Sequence, residues 1–146
     1  MIDFDEVLVP ADGSPGAHRA ALFGAHLAGK LGVPLKLTYV VPLTSESVMA
    51  LAKLSKAEIE QLQQQQARGV LDQARAVLDQ AGAAAQAKDL VLIGDAAEEI
   101  LNYVQQHPKT LVVMGRRGLS PLKSLMLGSV SEKVMRYAQG AVMLVN

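Results

Sequence analysis

The chain has 146 residues, its 14 basic and 14 acidic side chains cancel at pH 7, and it contains no cysteine. This excludes disulfides, thiolate metal sites and cysteine nucleophiles, and leaves no basic excess to hold nucleic acid. Half of the residues are hydrophobic but only 3% are aromatic. The core is therefore built from Val, Leu, Ile and Ala, as suits a parallel sheet covered by helices on both faces. The length predicts one domain over residues 1–146. The acidic start, Met1 to Glu6, lacks an apolar leader, and no apolar run approaches the roughly 18 residues of a membrane span, so a soluble cytoplasmic protein is expected.

Apolar runs and helical periodicities alternate along the chain. Glu6 to Ala11 reads as a strand, and Ser14 and Pro15 then supply an N-cap and a first helical position. The helix that follows carries Ala17, Ala20, Ala21, Gly24, Leu27, Ala28 and Leu31 on one stripe. That stripe is mostly small, so the helix should lie close to the sheet, with Gly32 ending it. Leu35 to Val41 is a second strand, and residues 43–57 are polar with no clear pattern. A long helix is expected from Ala57 to about Ala81, with Ile59, Leu62, Val70, Ala74, Val77, Leu78 and Ala81 inward and the glutamine run Gln63 to Gln66 solvated. Lys88 to Gly94 is a third strand. Asp95 caps the next helix, whose first turn holds Glu98 and Glu99 and which His107-Pro108 stops. Thr110 to Met114 is a fourth strand, and the last helix starts near Ser129 and is capped by Gly140 before a fifth strand, Ala141 to Val145. The predicted fold is α/β: a five-stranded parallel sheet in a doubly wound, three-layer sandwich with four helices.

Such sheets bind ligands beyond the carboxyl ends of their strands, where the strand order reverses. Three segments compete for that crevice: the turn with Pro10 and Asp12, the strand end with Val40 and Val41, and the loop after Met114. That loop reads Gly115-Arg116-Arg117-Gly118, then nine residues, then Gly128-Ser129-Val130-Ser131. A strand that runs into glycines and then into a helix start offers backbone N–H groups and the positive end of the helix dipole to an anion. Glycines also end strands for structural reasons alone, and Asp12 before Gly13 has an equal claim to being a turn-forming residue. A P-loop is not present, because Gly118 to Ser124 lacks the second glycine before Lys123 and contains Pro121; no Gly-x-Gly-x-x-Gly follows the first strand. Arg116, Arg117 and Lys123 read either as phosphate or partner contacts or, the reading favoured, as solvated charges, and His18 and His26 as surface positions of the first helix.

The spacing Gly115-x2-Gly118-x9-Gly128-Ser129 resembles the nucleotide-binding signature of the universal stress protein family, and Val7 to Ser14, Gly94 to Ile100 and Gly128 to Val134 resemble its other conserved segments. The resemblance implies a Rossmann-like, adenine nucleotide alpha hydrolase-like fold and an ATP-binding member, since members that keep these glycines bind ATP. It places Pro10 and Asp12 by the nucleoside, with Asp12 near the ribose or a Mg²⁺ or Mn²⁺ ion, and Val40 at the adenine through its backbone. Met114, Gly115 and Gly118 would line the ribose and α-phosphate, and Gly128, Ser129, Val130 and Ser131 would hold the outer phosphates. It also implies a homodimer through the C-terminal strand, although the family's proline there is Ala141 in this chain.

Three functions follow. The first is a nucleotide-dependent regulatory module of the stress response. The second is a slow ATPase, for which no general base accompanies the loop beyond Asp12 and Ser131. The third is a dimeric interaction scaffold that binds no nucleotide.

Overall fold

A computed structural model describes residues 3–83, 87–116 and 127–146. The strands are β1 (Glu6–Pro10), β2 (Leu35–Val41), β3 (Ala87–Ile93), β4 (Thr110–Gly115) and β5 (Ala141–Val145). The helices are α1 (Pro15–Leu31), α2 (Ser45–Leu51), α3 (Lys56–Gln80), α4 (Ala96–Gln106) and α5 (Ser129–Tyr137). All neighbouring strands pair in parallel, in the order β3-β2-β1-β4-β5. The chain winds outward from β1 to β3, then crosses back to β4 and β5, so the order reverses between β1 and β4. One core, with Val7, Val9, Leu35, Leu37, Leu71 and Leu78, lies beneath α1 and α3. The second, with Leu8, Val40, Ile100, Val104, Val112 and Val134, lies beneath α4 and α5. The predicted three-layer α/β sandwich is the observed one.

Local chemistry sets the element ends. The Ser14 hydroxyl accepts from the Ala17 N–H to start α1, and Gly32 at φ +69° ends it in the left-handed region. The small stripe of α1 does bring it close: a Cβ on Gly24 would stand 2.5 Å from a Val9 methyl. Asp95 caps α4 through the Glu98 N–H at 3.0 Å.

Three particulars differ from expectation. Five helices, not four, are present among the described residues, because Thr44 and Ser47 form a reciprocal capping box that starts α2 inside the stretch read as irregular. No residue of α2 is buried, so burial periodicity could not reveal it. The inward face of α3 is Ala67, Leu71, Ala74 and Leu78; Leu62 is exposed because the first half of the helix stands clear of the core, and Ala81 is exposed as the C-cap beyond its end. Helix α5 ends at Ala138 in extended geometry, so Gly140 is not its cap. Among the described residues no helix is long and apolar enough to cross a membrane.

Candidate functional site

The carboxyl ends of β1, β2 and β4 meet the first turns of α1, α4 and α5 around a cavity of about 260 Å³. From β1 and its turn come Pro10, Ala11 and Asp12; from β2, Thr38, Tyr39 and Val40; from β4, Met114 and Gly115. The helices add Ala17, Ala96 and Ile100, then Ser129, Val130 and Ser131 behind Gly128. The cavity straddles the β1–β4 reversal, where a doubly wound sheet leaves a crevice. Nine positions singled out in the sequence line it together: Pro10, Asp12, Val40, Met114, Gly115, Gly128, Ser129, Val130 and Ser131. The tenth, Gly118, lies outside the described residues, as do Arg117 and Lys123. Val41 is turned away and lines a separate groove between α2 and α3.

The two ends of the cavity differ in chemistry. Val40, Ile100 and Met114 belong to the α4–α5 core, with Ala96 packed against it, so this end is apolar. The opposite end is main chain and small polar groups. Gly128 stands at φ −64° and ψ 153°, the usual N-cap conformation, but supplies no side-chain cap to α5. Helices α1, α2, α3 and α4 are all capped by a side chain: Ser14, Thr44, Ser55 and Asp95. The first N–H groups of α5 thus have no side-chain cap among the described residues, at the cavity wall. Ser131 ties this turn to the sheet, its hydroxyl donating to the Gly115 carbonyl at 2.8 Å.

Asp12 Oδ1 accepts from the Ser14 N–H at 2.9 Å, so the turn-forming reading of this aspartate is observed; it also lines the cavity. It is the single carboxylate among the described lining residues, and no cluster of three metal-ligating side chains occurs among the described residues. Gly115 has a packing reason for its identity. A Cβ there would lie 2.7 Å from the Gly16 carbonyl carbon and 2.8 Å from its oxygen, inside the first turn of α1.

Sequence reasoning missed Thr38. It is fully buried, and its hydroxyl oxygen has no hydrogen-bond partner among the described residues. A threonine inside a Val- and Leu-rich strand carries no signal by itself, because β-branched residues suit strands generally. His18 is half-buried and not a plain surface position, with its Nε2 likewise shielded and unpartnered among the described residues.

At the other end of the sheet a polar cluster fastens α4 to three strands. Glu6, 7% exposed, accepts from Tyr103 at 2.7 Å and Thr110 at 2.8 Å, and pairs with Lys36 at 2.8 Å. Burial pushes the Glu6 carboxyl up, but the hydrogen bonds from Lys36, Tyr103 and Thr110 outweigh it and hold the group below its ordinary range. The same bonds, first to Glu6 and then to Tyr103, raise Lys36. This cluster is structural and remote from the cavity.

The model of the universal stress protein family matches residues 3–146. Universal stress protein YxiE of Bacillus subtilis is 30% identical over 148 aligned residues, covering 97% of this chain and 99% of the relative. Among solved structures, a universal stress protein in complex with cAMP aligns over 98% of this chain and 97% of its own, with TM-score 0.71 and 21% identity. The universal stress protein of Archaeoglobus fulgidus in complex with dAMP aligns over 100% of both chains, with TM-score 0.66 and 19% identity.

Proposed function

This chain belongs to the universal stress protein family, and we propose that it is an adenine-nucleotide-binding member acting as a cytoplasmic, nucleotide-dependent regulatory module of the stress response. One observation carries the reading: the uncapped first turn of α5, at Gly128 to Ser131, opens onto a cavity whose other end is apolar. An amphiphilic anion with a flat apolar head fits both ends, and its phosphates meet free N–H groups and the helix dipole. Two structures of the same fold are complexes with cAMP and dAMP, which supports an adenine ligand.

In this reading the adenine lies against Val40 and Ile100, and the ribose between Pro10, Asp12 and Met114. The α-phosphate sits near Gly115 and Gly118, and the outer phosphates of ATP on Gly128, Ser129, Val130 and Ser131. A Mg²⁺ or Mn²⁺ ion is held by Asp12 and the phosphates. One carboxylate suffices for that, because Mg²⁺ commonly takes one or two protein carboxylates and completes its shell with phosphate and water. Among the described lining residues Asp12 is the one carboxylate that could act as a general base, which supports at most slow turnover of the nucleotide. Strand β5 has β4 as its one neighbour, and its free edge supports a homodimer through the C-terminal strand of this single domain.

The packing of Gly115 against Gly16 favours the second reading, a scaffold in which the glycines serve only the fold. Titration calorimetry with Mg-ATP, AMP and cAMP separates the two. The first reading expects saturable heat with at least one ligand, together with a rise in unfolding temperature that grows with ligand concentration. A native preparation has an added indicator, since with no Trp and three Tyr any retained adenine dominates the near-ultraviolet spectrum. A folded protein that gives no heat with any of the three ligands overturns the first reading.

A further inference from the structure

Two hydrogen bonds tie the start of α5 to the end of β4. The Gly128 N–H donates to the Arg116 carbonyl at 2.9 Å. The Ser131 hydroxyl donates to the carbonyl of Gly115, the last residue of β4, at 2.8 Å. The anchor for both is itself held, because the Arg116 N–H donates to the Val145 carbonyl of β5 at 2.9 Å. Ser131 is buried, and Val134, one turn further, is fully buried in the α4–α5 core, so this side of the helix faces the sheet. The first intrahelical bond of α5 runs from the Glu132 N–H to the Gly128 carbonyl at 2.9 Å. The N–H groups of Ser129, Val130 and Ser131 lie ahead of it and receive no side-chain cap among the described residues. With the Gly128 N–H spent on Arg116, these three amides are what the turn offers to an anion. A hydroxyl has one proton to donate, and that of Ser131 is spent on Gly115. An ionised phosphate presents acceptors only, so it takes up this hydroxyl only by breaking the tie.

We propose that Ser131 is a positioning residue for phosphate binding: its hydroxyl does not touch the ligand but fixes the first turn of α5 against the end of β4. That contact sets the distance and angle at which the Ser129, Val130 and Ser131 amides meet the outer phosphates. The inference rests on the nucleotide reading above and divides the labour within it, the main chain of this turn binding and the Ser131 side chain aiming it. Hydrogen bonds weaken steeply as they bend, so a turn free to rock loses several charge-assisted bonds together. The nucleoside and the α-phosphate lie against other elements and do not depend on the tie.

The test compares wild type with Ser131→Ala by calorimetric titration with ATP and with AMP, by thermal unfolding without ligand, and by amide hydrogen exchange at Gly128. The variant is expected to bind ATP about ten- to a hundredfold more weakly and AMP within about threefold of wild type. Without ligand it should unfold roughly 3–8 °C lower, and the Gly128 amide should exchange at least about fivefold faster, because the tie exists in the empty protein. If Ser131→Ala does not fold, Ser131→Cys, close in size with a far weaker donor, takes its place. Lower stability with unchanged ATP affinity makes the bond merely structural and overturns the proposal. Weaker ATP binding with unchanged unfolding and exchange makes the hydroxyl a direct phosphate ligand and also overturns it, as do equal losses for ATP and AMP. A wild type that binds AMP but not ATP overturns the proposal alone, and one that binds neither overturns the nucleotide reading with it.

Discussion

Gly128 offers a perturbation whose effects on stability and binding have opposite signs. Its backbone, φ −64° and ψ 153°, already matches the side-chain-capped N-caps Ser14 at −77° and 154° and Asp95 at −78° and 130°. Gly128→Asp therefore places a carboxylate where it accepts from the first-turn N–H groups of α5 without moving the main chain. A cap of this kind and its interaction with the helix dipole together stabilise by about 0.5–1.5 kcal/mol relative to glycine. The same carboxylate occupies the place proposed for the outer phosphates. A unit charge about 4 Å from a phosphate oxygen costs about 4 kcal/mol at an effective dielectric constant near 20, a loss of about a thousandfold in affinity. Adenosine, having no phosphate, should keep its affinity within a factor of about three, since only the charged ligand feels this repulsion. Urea unfolding and titration with ATP and adenosine measure all three quantities. A variant that binds ATP as wild type does, or that is less stable than wild type, refutes the placement of the phosphates on α5.

Glu6→Ala leaves Tyr103 and Thr110 without their acceptor and Lys36 without its counter-charge, and should destabilise by about 3 kcal/mol at pH 7, at the lower end for a broken buried pair because Lys36 is 28% exposed and regains water. The lowered Glu6 pKa makes its contribution fully present above the ordinary value of 4.5 and lost as pH falls through the depressed folded value. The raised Lys36 gives a contribution present below 10.5 and lost as pH rises through its raised folded value. The gap between wild type and Glu6→Ala in urea should therefore hold from about pH 5 to 10 and narrow in acid; a constant gap down to pH 2 would contradict this. Gly115→Ala must push β4 and the first turn of α1 apart, at a cost of about 1–3 kcal/mol seen in thermal unfolding. An unchanged unfolding midpoint would show that the close approach to Gly16 is not the reason for the glycine.

The sheet was legible because its strands are short segments rich in Val, Leu and Ile, separated by capped helices. Ser14, Pro15, Gly32 and Asp95 announce element ends through local hydrogen bonding that the sequence displays directly. Helix α2 was not legible. Its capping box uses Ser47 where the readable pattern has Glu or Gln, and none of its residues is buried to create a period. The α3 stripe was misread toward Leu62 because periodicity gives a face but not how far along the helix the core extends. Glu6 passed as part of an acidic start, since its partners Lys36, Tyr103 and Thr110 are 30 or more residues away and meet it only through strand pairing.

The cavity divides the same way. Its glycines and Asp12 lie at the ends of elements, where sequence speaks plainly; Thr38 and Ile100 line it from the middle of regular elements, where side-chain direction depends on the whole fold. Gly115 and Gly128 show why a glycine signature alone leaves two functions open. At Gly115 the main chain of α1 leaves no room for a Cβ, so this glycine is required with or without a ligand. At Gly128 the dihedral angles suit every residue, and serine or aspartate there would cap α5 as side chains cap the other four helices. Among the described residues, packing accounts for the first glycine, while the backbone conformation of the second does not demand one. Gly128 supplies no side-chain cap to α5, so binding measured on substitutions there, and not at Gly115, distinguishes a nucleotide module from a scaffold.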